Sequence, residues 1–248
     1  MHPVLFGSVS SYGVMFALAY LTAFFLMRAV APRMNVPSPA AGDLALWGLV
    51  AGLVGARLFY AAINFDAFLQ DPAQLFRLWN GGLVFYGGLA GAALAVVAWG
   101  RVHGVPWRTA LDLSAIGITV GQALGRIGCL LAGCCHGDVC DLPWSVTMHS
   151  DLADLRGVPV HPVQAYEAAA LAVIGALLLR KARRGSRPGE ISVAYLFSYA
   201  LTRFFMEFFR GDSARGFWGS LSTSQVVSLA ILAALAMGWV ILRARRPA

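Results

Sequence analysis

Arg57, Arg126 and Arg203 each interrupt an otherwise apolar stretch, and Glu207 follows Arg203 by four residues. A guanidinium is always charged, and its planar fork of donors matches the oxygens of a phosphate or carboxylate. Residues four apart share a helix face, so Arg203 and Glu207 can meet on one helix. One reading is structural: the pair neutralises itself, and Arg57 or Arg126 snorkels or caps a carbonyl. The other is functional. Three arginines from three helices, with Glu207, Asp112 and Glu167 as the nearby carboxylates, would hold an external anion. A phospholipid headgroup is the anion that a membrane pocket meets most readily.

The second cluster is sulfur. All four cysteines fall in one window, Cys129-x4-Cys134-Cys135-His136-x3-Cys140. A disulfide from Cys140 to Cys134 or Cys135 suits an oxidising outer compartment. A metal or redox site suits soft ligands, although the window lacks the paired C-x2-C units of common zinc sites. Small packing residues or a free thiol near the active site is the third reading, and sequence alone leaves all three open. No metal and no soluble cofactor is expected. Nucleotide-binding loops, dinucleotide fingerprints, a nucleophilic-serine elbow and an H-E-x-x-H pair are all missing from the sequence.

These side chains need elements to hold them, and composition says which. Of 248 residues, 58% are hydrophobic and 12% charged, and the mean hydropathy is +0.68. Soluble domains carry about 25% charged residues, so a soluble enzyme and a disordered chain are both disfavoured. The net charge of +7 resides in short clusters between apolar stretches rather than on a basic face with aromatics, so nucleic acid is not an expected partner. Uncharged runs at 4–27, 78–100 and 216–242 each exceed the roughly 20 residues needed to cross a bilayer core. Apolar stretches near 44–64, 110–133, 162–180 and 191–209 carry one or two charges each. Together they predict an all-α, polytopic membrane bundle of seven transmembrane helices. It forms a single domain over 1–248 with a small outer cap at about 134–161. The first run lacks a basic leader segment and is kept as a span.

Alternating the loops between two sides puts twelve Lys and Arg on one side, four on the other (with Arg210 borderline) and three inside spans. The basic side is cytoplasmic by the positive-inside rule, so the N-terminus is expected outside and the C-terminus inside. An arginine at the bilayer centre costs about 2.5–3.5 kcal/mol on insertion scales, so Arg57, Arg126 and Arg203 should face a paired or wet interior. Glycines at 82, 87, 88 and 91, and at 117, 121, 125, 128 and 133, read mainly as close helix packing.

Several separated motifs, in order, resemble the prolipoprotein diacylglyceryl transferases of bacterial inner membranes. His2-Pro3-Val4 with Ser11-Tyr12-Gly13 is similar to the family's N-terminal element. Gly55-Ala56-Arg57 resembles its G-x-R segment, and Gly81-Gly82-Leu83-Val84-Phe85-Tyr86-Gly87-Gly88-Leu89 its G-G-x-x-F-H-G-G-L segment. The stretch from Gly125-Arg126-Ile127-Gly128-Cys129 to Gly137 follows the frame of its G-R-x-G-N-F-x-N-x-E-x-x-G signature. His161-Pro162-Val163-Gln164-Ala165-Tyr166-Glu167 resembles its H-P-x-Q-x-Y-E element. Arg203 to Arg210 resembles its R-x-x-x-E-x-x-R segment.

The departures are Tyr86 for a histidine, Cys129 and Ala132 for asparagines, and Cys134 for a glutamate. The resemblance implies transfer of diacylglyceryl from phosphatidylglycerol to the lipobox cysteine of a prolipoprotein, in the inner membrane, with the signal-peptide region as protein partner. It implies Tyr86, Arg126, Arg203 and Glu207 as the catalytic set, with the two arginines on the phosphate and Glu207 orienting Arg203. It implies Tyr12, Arg57, Cys129, Gly137 and Arg210 as substrate contacts. Cys134, Cys135 and Cys140 form the disulfide or thiol site. Tyr86, with an ordinary pKa of about 10, is a hydrogen-bond donor rather than a base unless an arginine lowers it. His136 is a base candidate by position, and His161 reads as structural.

Overall fold

The computed structural model describes residues 4–6, 9–77, 81–147, 157–211 and 216–244, with side chains described from residue 10 to 241 within those segments. Six helices are long and apolar enough to cross a membrane. They are α1 (Ser11–Val30) with a 3-10 extension to Met34, α2 (Ser38–Ile63), α4 (Phe85–His103), α5 (Trp107–Ala132), α6 (Val163–Arg184) and α8 (Thr223–Ala244). The seventh expected span is α7 (Glu190–Met206), a helix of 17 residues that falls short of the other six. A short α3 (Phe65–Gln70) follows α2. Arg156, Arg215, Arg245, Arg246, Asp151, Asp154, Asp212, His149 and the His2-Pro3 pair lie outside the described residues.

The all-α expectation needs one amendment. Three minimal antiparallel ladders occur: β1 (Val4–Phe6) with β2 (Val9–Ser10), β3 (Val146–Thr147) with β4 (Pro159–Val160), and β5 (Phe217–Trp218) with β6 (Leu221–Ser222). Two of them trim expected spans, because α1 starts only at Ser11 and α8 only at Thr223. The third span starts at Phe85, because Gly81 and Gly82 take positive φ, near +75° each, and hold the chain in a turn.

By packing the chain divides into two compact units. One comprises Phe24–Ser114 with Arg187–Gly189. Here α2 and α4 are in backbone contact. A Cβ on Gly55 would strike the Gly87 carbonyl, and one on Gly91 the Ala51 carbonyl, so glycine is required at the crossing. Val84 donates its N–H to the Ala56 carbonyl at 3.2 Å. The buried cluster is Met27, Ala31, Ala41, Leu44, Trp99, Ala110 and Leu113, and the Trp99 indole donates to the Ala40 carbonyl at 3.0 Å. Asp112 accepts from the Gly189 N–H at 2.7 Å.

The other unit comprises the described parts of Met1–Ala23, Ala115–Ser186 and Glu190–Ala248. Its most buried element is α6, whose inward residues Val163, Gln164, Glu167, Ala168, Leu171, Ile174, Gly175, Leu178 and Ala182 recur at three- and four-residue spacing. Gly175 lies in ordinary contact distance of Thr119 and Val120 on α5. The Tyr195 hydroxyl on α7 donates to Gln122 on α5 at 2.9 Å. The outward side chains of both units are apolar, as Phe25, Leu94, Leu177 and Met237 illustrate. Core and surface both being apolar is the pattern of a protein whose solvent is lipid.

Candidate active site

The site grows from Glu167, on the inward seam of α6. Its Oε1 lies 3.1 Å from Nη1 of Arg203 on α7, and its Oε2 pairs with Nε of Arg126 on α5. Arg203 Nη2 reaches Glu207 Oε2 at 3.0 Å and donates to the Ser224 hydroxyl on α8 at 3.0 Å. Three helices therefore meet at one bridging carboxylate, and α8 joins them through Arg203. Glu167 and Glu207 are almost fully buried, and the Arg203 and Arg126 side chains are 15% and 22% exposed. Two guanidiniums and two carboxylates balance in charge, which is what permits burial.

The two arginines are not equivalent. Both terminal nitrogens of Arg203 are engaged. Arg126 is engaged through Nε, and among the described residues its Nη1 and Nη2 have no partner. That leaves one edge of a fixed, half-open guanidinium for an anion. Glu167 is the residue that sequence reasoning undervalued: it was counted as a nearby carboxylate without a role. Its signal was a lone acid in an apolar helix, placed on the same face as Gln164 and Leu171. Asp112 is corrected in the opposite sense, because it serves the Gly189 amide in the other unit.

The end of α7 explains Glu207. After Met206 the helix tightens to 3-10 geometry over Glu207–Phe209, and the chain then extends at Arg210. Arg210 bridges to Gly137, and the Asp138 N–H donates to the Phe209 carbonyl at 2.8 Å. Gly137 has a packing reason for its identity: a Cβ there would lie 2.5 Å from the His161 Cβ and carbonyl. His136 is buried with Nδ1 on the Gly137 carbonyl at 2.9 Å. The His161 ring packs edge-on against Tyr166 and Phe209, as a structural histidine should.

One turn beyond Arg126 lies the sulfur. α5 ends with the Gly133 and Cys134 N–H groups both bonded to the Cys129 carbonyl, at 3.0 and 3.1 Å. Gly133 and Cys135 then take left-handed conformations (φ 75° and 58°), which reverse the chain. For a non-glycine residue such as Cys135 this costs on the order of 1 kcal/mol or more. The result brings the Cys129, Cys134 and Cys135 sulfurs within 4.8 Å of one another. All four cysteines are free thiols, and Cys129 rather than Cys140 sits beside Cys134 and Cys135, so of the three readings the structure does not show the Cys140 disulfide. Hydrogen bonds from Cys129 and Cys134, with lesser help from Arg126 and Arg210, hold the Cys135 thiol far below the usual thiol range, against the effect of burial. Hydrogen bonds with Cys129 and Cys135, together with burial, push the Cys134 thiol up.

Tyr12, in the first turn of α1, is within electrostatic reach of these three cysteines and Arg126. Gly128 lets α1 approach, since its Cβ would lie 3.0 Å from Met15 and 3.3 Å from Tyr12. Tyr12, Arg126, Cys129, Cys134, Cys135, Arg203, Glu207 and Arg210 thus belong to one unit.

Arg57 and Tyr86 belong to the other. Arg57 is buried, and its donors go to backbone carbonyls: Leu75 at 3.2 Å, Gly81 at 2.6 Å, Gly82 at 2.9 Å, Arg77 at 3.3 Å and, shortest, Gln74. This guanidinium ties residues 74–77 to residues 81–82, between α3 and α4. Tyr86 is an exposed residue in the first turn of α4, edge-on to Phe85.

Comparison with known proteins shows the family. The family model of prolipoprotein diacylglyceryl transferase matches residues 3–241. The phosphatidylglycerol--prolipoprotein diacylglyceryl transferase of Methylococcus capsulatus is 35% identical over 89% of this chain and 86% of its own length. That of Aeromonas salmonicida is 34% identical over 93% and 84%, and transferase 2 of Clostridium perfringens 31% identical over 90% and 87%. The chain belongs to the prolipoprotein diacylglyceryl transferase family.

Proposed function

We propose that this chain transfers the diacylglyceryl group of phosphatidylglycerol to the lipobox cysteine thiol in the signal-peptide region of a prolipoprotein. The thiolate sulfur attacks the glyceryl carbon that carries the phosphate. The carbon–oxygen bond breaks, its electron pair leaves with glycerol phosphate, and a thioether remains. The observation that supports this most is the half-open Arg126, fixed through Nε on Glu167 with its Nη edge unengaged among the described residues. A preorganised donor pair aimed at charge that grows on a leaving phosphate is worth roughly 10²–10³ in rate. On this reading Arg126 touches the phosphate, and Glu167 positions it. Arg203, with Glu207 and Ser224, holds Glu167 in place and adds positive potential. Tyr12 and Arg210 line the approach.

We further read α7 with its 3-10 continuation as a seventh crossing of one membrane domain. The N-terminus is then outside, the C-terminus in the cytoplasm, and the described residues of the 134–161 segment, 134–147 and 157–161, belong to a cap on the outer face of the bacterial inner membrane.

The test is reconstitution of the full chain in phosphatidylglycerol vesicles with a lipobox peptide. The expected result is a peptide heavier by one diacylglyceryl group, together with released glycerol phosphate, both dependent on phosphatidylglycerol. Lipid association without either product, by a folded chain, would overturn the proposal.

A further inference from the structure

The proposed transfer leaves the sulfur cluster without an assigned part, yet the chain bends sharply to build it. Cys129 supplies its carbonyl to the turn that ends α5, and Cys135 adopts a left-handed backbone that side chains other than glycine, asparagine and aspartate rarely take. Three sulfurs result, mutually within 4.8 Å. Metal–thiolate bonds of about 2.3 Å in tetrahedral geometry place sulfurs about 3.8 Å apart. The upper bound on the present spacing exceeds that value by about 1 Å. An all-sulfur donor set selects soft, closed-shell ions over hard ones.

We propose that Cys129, Cys134 and Cys135 form a three-thiolate site for a soft d10 cation, Zn²⁺ or Cu⁺. This goes against the sequence-based expectation of no metal. Any proton still on a sulfur goes to solvent as the ion binds. The remaining cysteine, Cys140, lies outside the triad, and the buried His136 turns Nδ1 to a backbone carbonyl. Three protein ligands leave one position open. Resting on the proposed transferase reading, that position suits the acceptor's cysteine: a thiol that binds there loses its proton and becomes a nucleophile near neutral pH. The site would then do what a general base does elsewhere, in a chain with Tyr86 where the resembling family has a histidine. Once the sulfur has become a thioether it is a weak ligand and leaves.

The experiment uses the full chain, extracted in detergent, reduced under anaerobic conditions and stripped with a chelator. Co²⁺ is the spectroscopic probe. The expected result is one equivalent bound with a sulfur-to-cobalt charge-transfer band, displaced by one equivalent of Zn²⁺ or Cu⁺. Which of the two survives a competing chelator identifies the ion. Cys134→Ser and Cys135→Ser should weaken binding by about tenfold or more, while Cys140→Ser binds as the wild type does. In the unmutated chain, bound metal should shield three cysteines from alkylation and leave Cys140 reactive.

No charge-transfer band in the reduced wild type would overturn the site, as would equal loss in Cys140→Ser. A chain isolated two daltons light that binds no metal after reduction would show a redox pair instead. Transfer to the lipobox peptide is measured on the same samples. Equal transfer with and without metal would remove the activating role and leave the transferase reading standing. No transfer in either state would remove the transferase reading, and the cobalt titration would still decide the metal site.

Discussion

Two arginines, each inside an apolar helix with a glycine within two residues, end in opposite circumstances. Arg57 is saturated by neutral acceptors, the carbonyls of Gln74, Leu75, Arg77, Gly81 and Gly82. Arg126 is pinned by a charged one, Glu167, along a single edge. A guanidinium that meets carbonyls organises backbone and has no donors to spare. A guanidinium that meets a shared carboxylate is aimed, and its other edge remains available. Identity and burial do not separate these cases; the type and number of acceptors do.

The largest effect should come from Arg126→Gln, which keeps size and loses the charged fork. We expect transfer to phosphatidylglycerol-derived product to fall by roughly 10²–10³, read as labelled thioether per folded molecule. Normal transfer by the folded variant would make Arg126 no different from Arg57. Next is Glu167→Ala, which strands two guanidiniums facing each other. It should destabilise the chain by about 3–5 kcal/mol, measured by thermal unfolding in detergent, with Glu167→Gln milder because one hydrogen bond to an arginine survives.

Arg57→Met should lower stability by about 2–4 kcal/mol through the loss of several charge-assisted hydrogen bonds. Its rate per folded molecule should stay near that of the wild type. A selective rise in KM for phosphatidylglycerol would break the comparison and return Arg57 to the substrate. Smallest is Gly91→Ala, where one methyl meets the Ala51 carbonyl; we expect a loss of about 1–3 kcal/mol, without effect on the Arg126 region.

The sequence made the helices legible because hydropathy and length carry that signal directly, as at α2 and α5. It could not show where helices are trimmed. The β1–β2 and β5–β6 ladders are as apolar as the spans they shorten, so hydropathy reads through them. In the site, the i,i+4 spacing of Arg203 and Glu207 announced their contact, and it is present at 3.0 Å. The role of Glu167 was hidden because its partners lie 41 residues before it and 36 after, a distance that only packing of α5, α6 and α7 closes. The grouping of Cys129 with Cys134 and Cys135 was hidden for a local reason. It depends on a left-handed Cys135, a conformation that residue type argues against.

The central claim is that the unengaged edge of Arg126 holds the lipid phosphate. Solid-state NMR of the arginine-15N-labelled chain in phosphatidylglycerol bilayers measures it directly, through nitrogen–phosphorus dipolar coupling. The account predicts a short-range coupling in the wild type that disappears in Arg126→Gln and persists in Arg57→Met. A coupling undiminished in Arg126→Gln would contradict it.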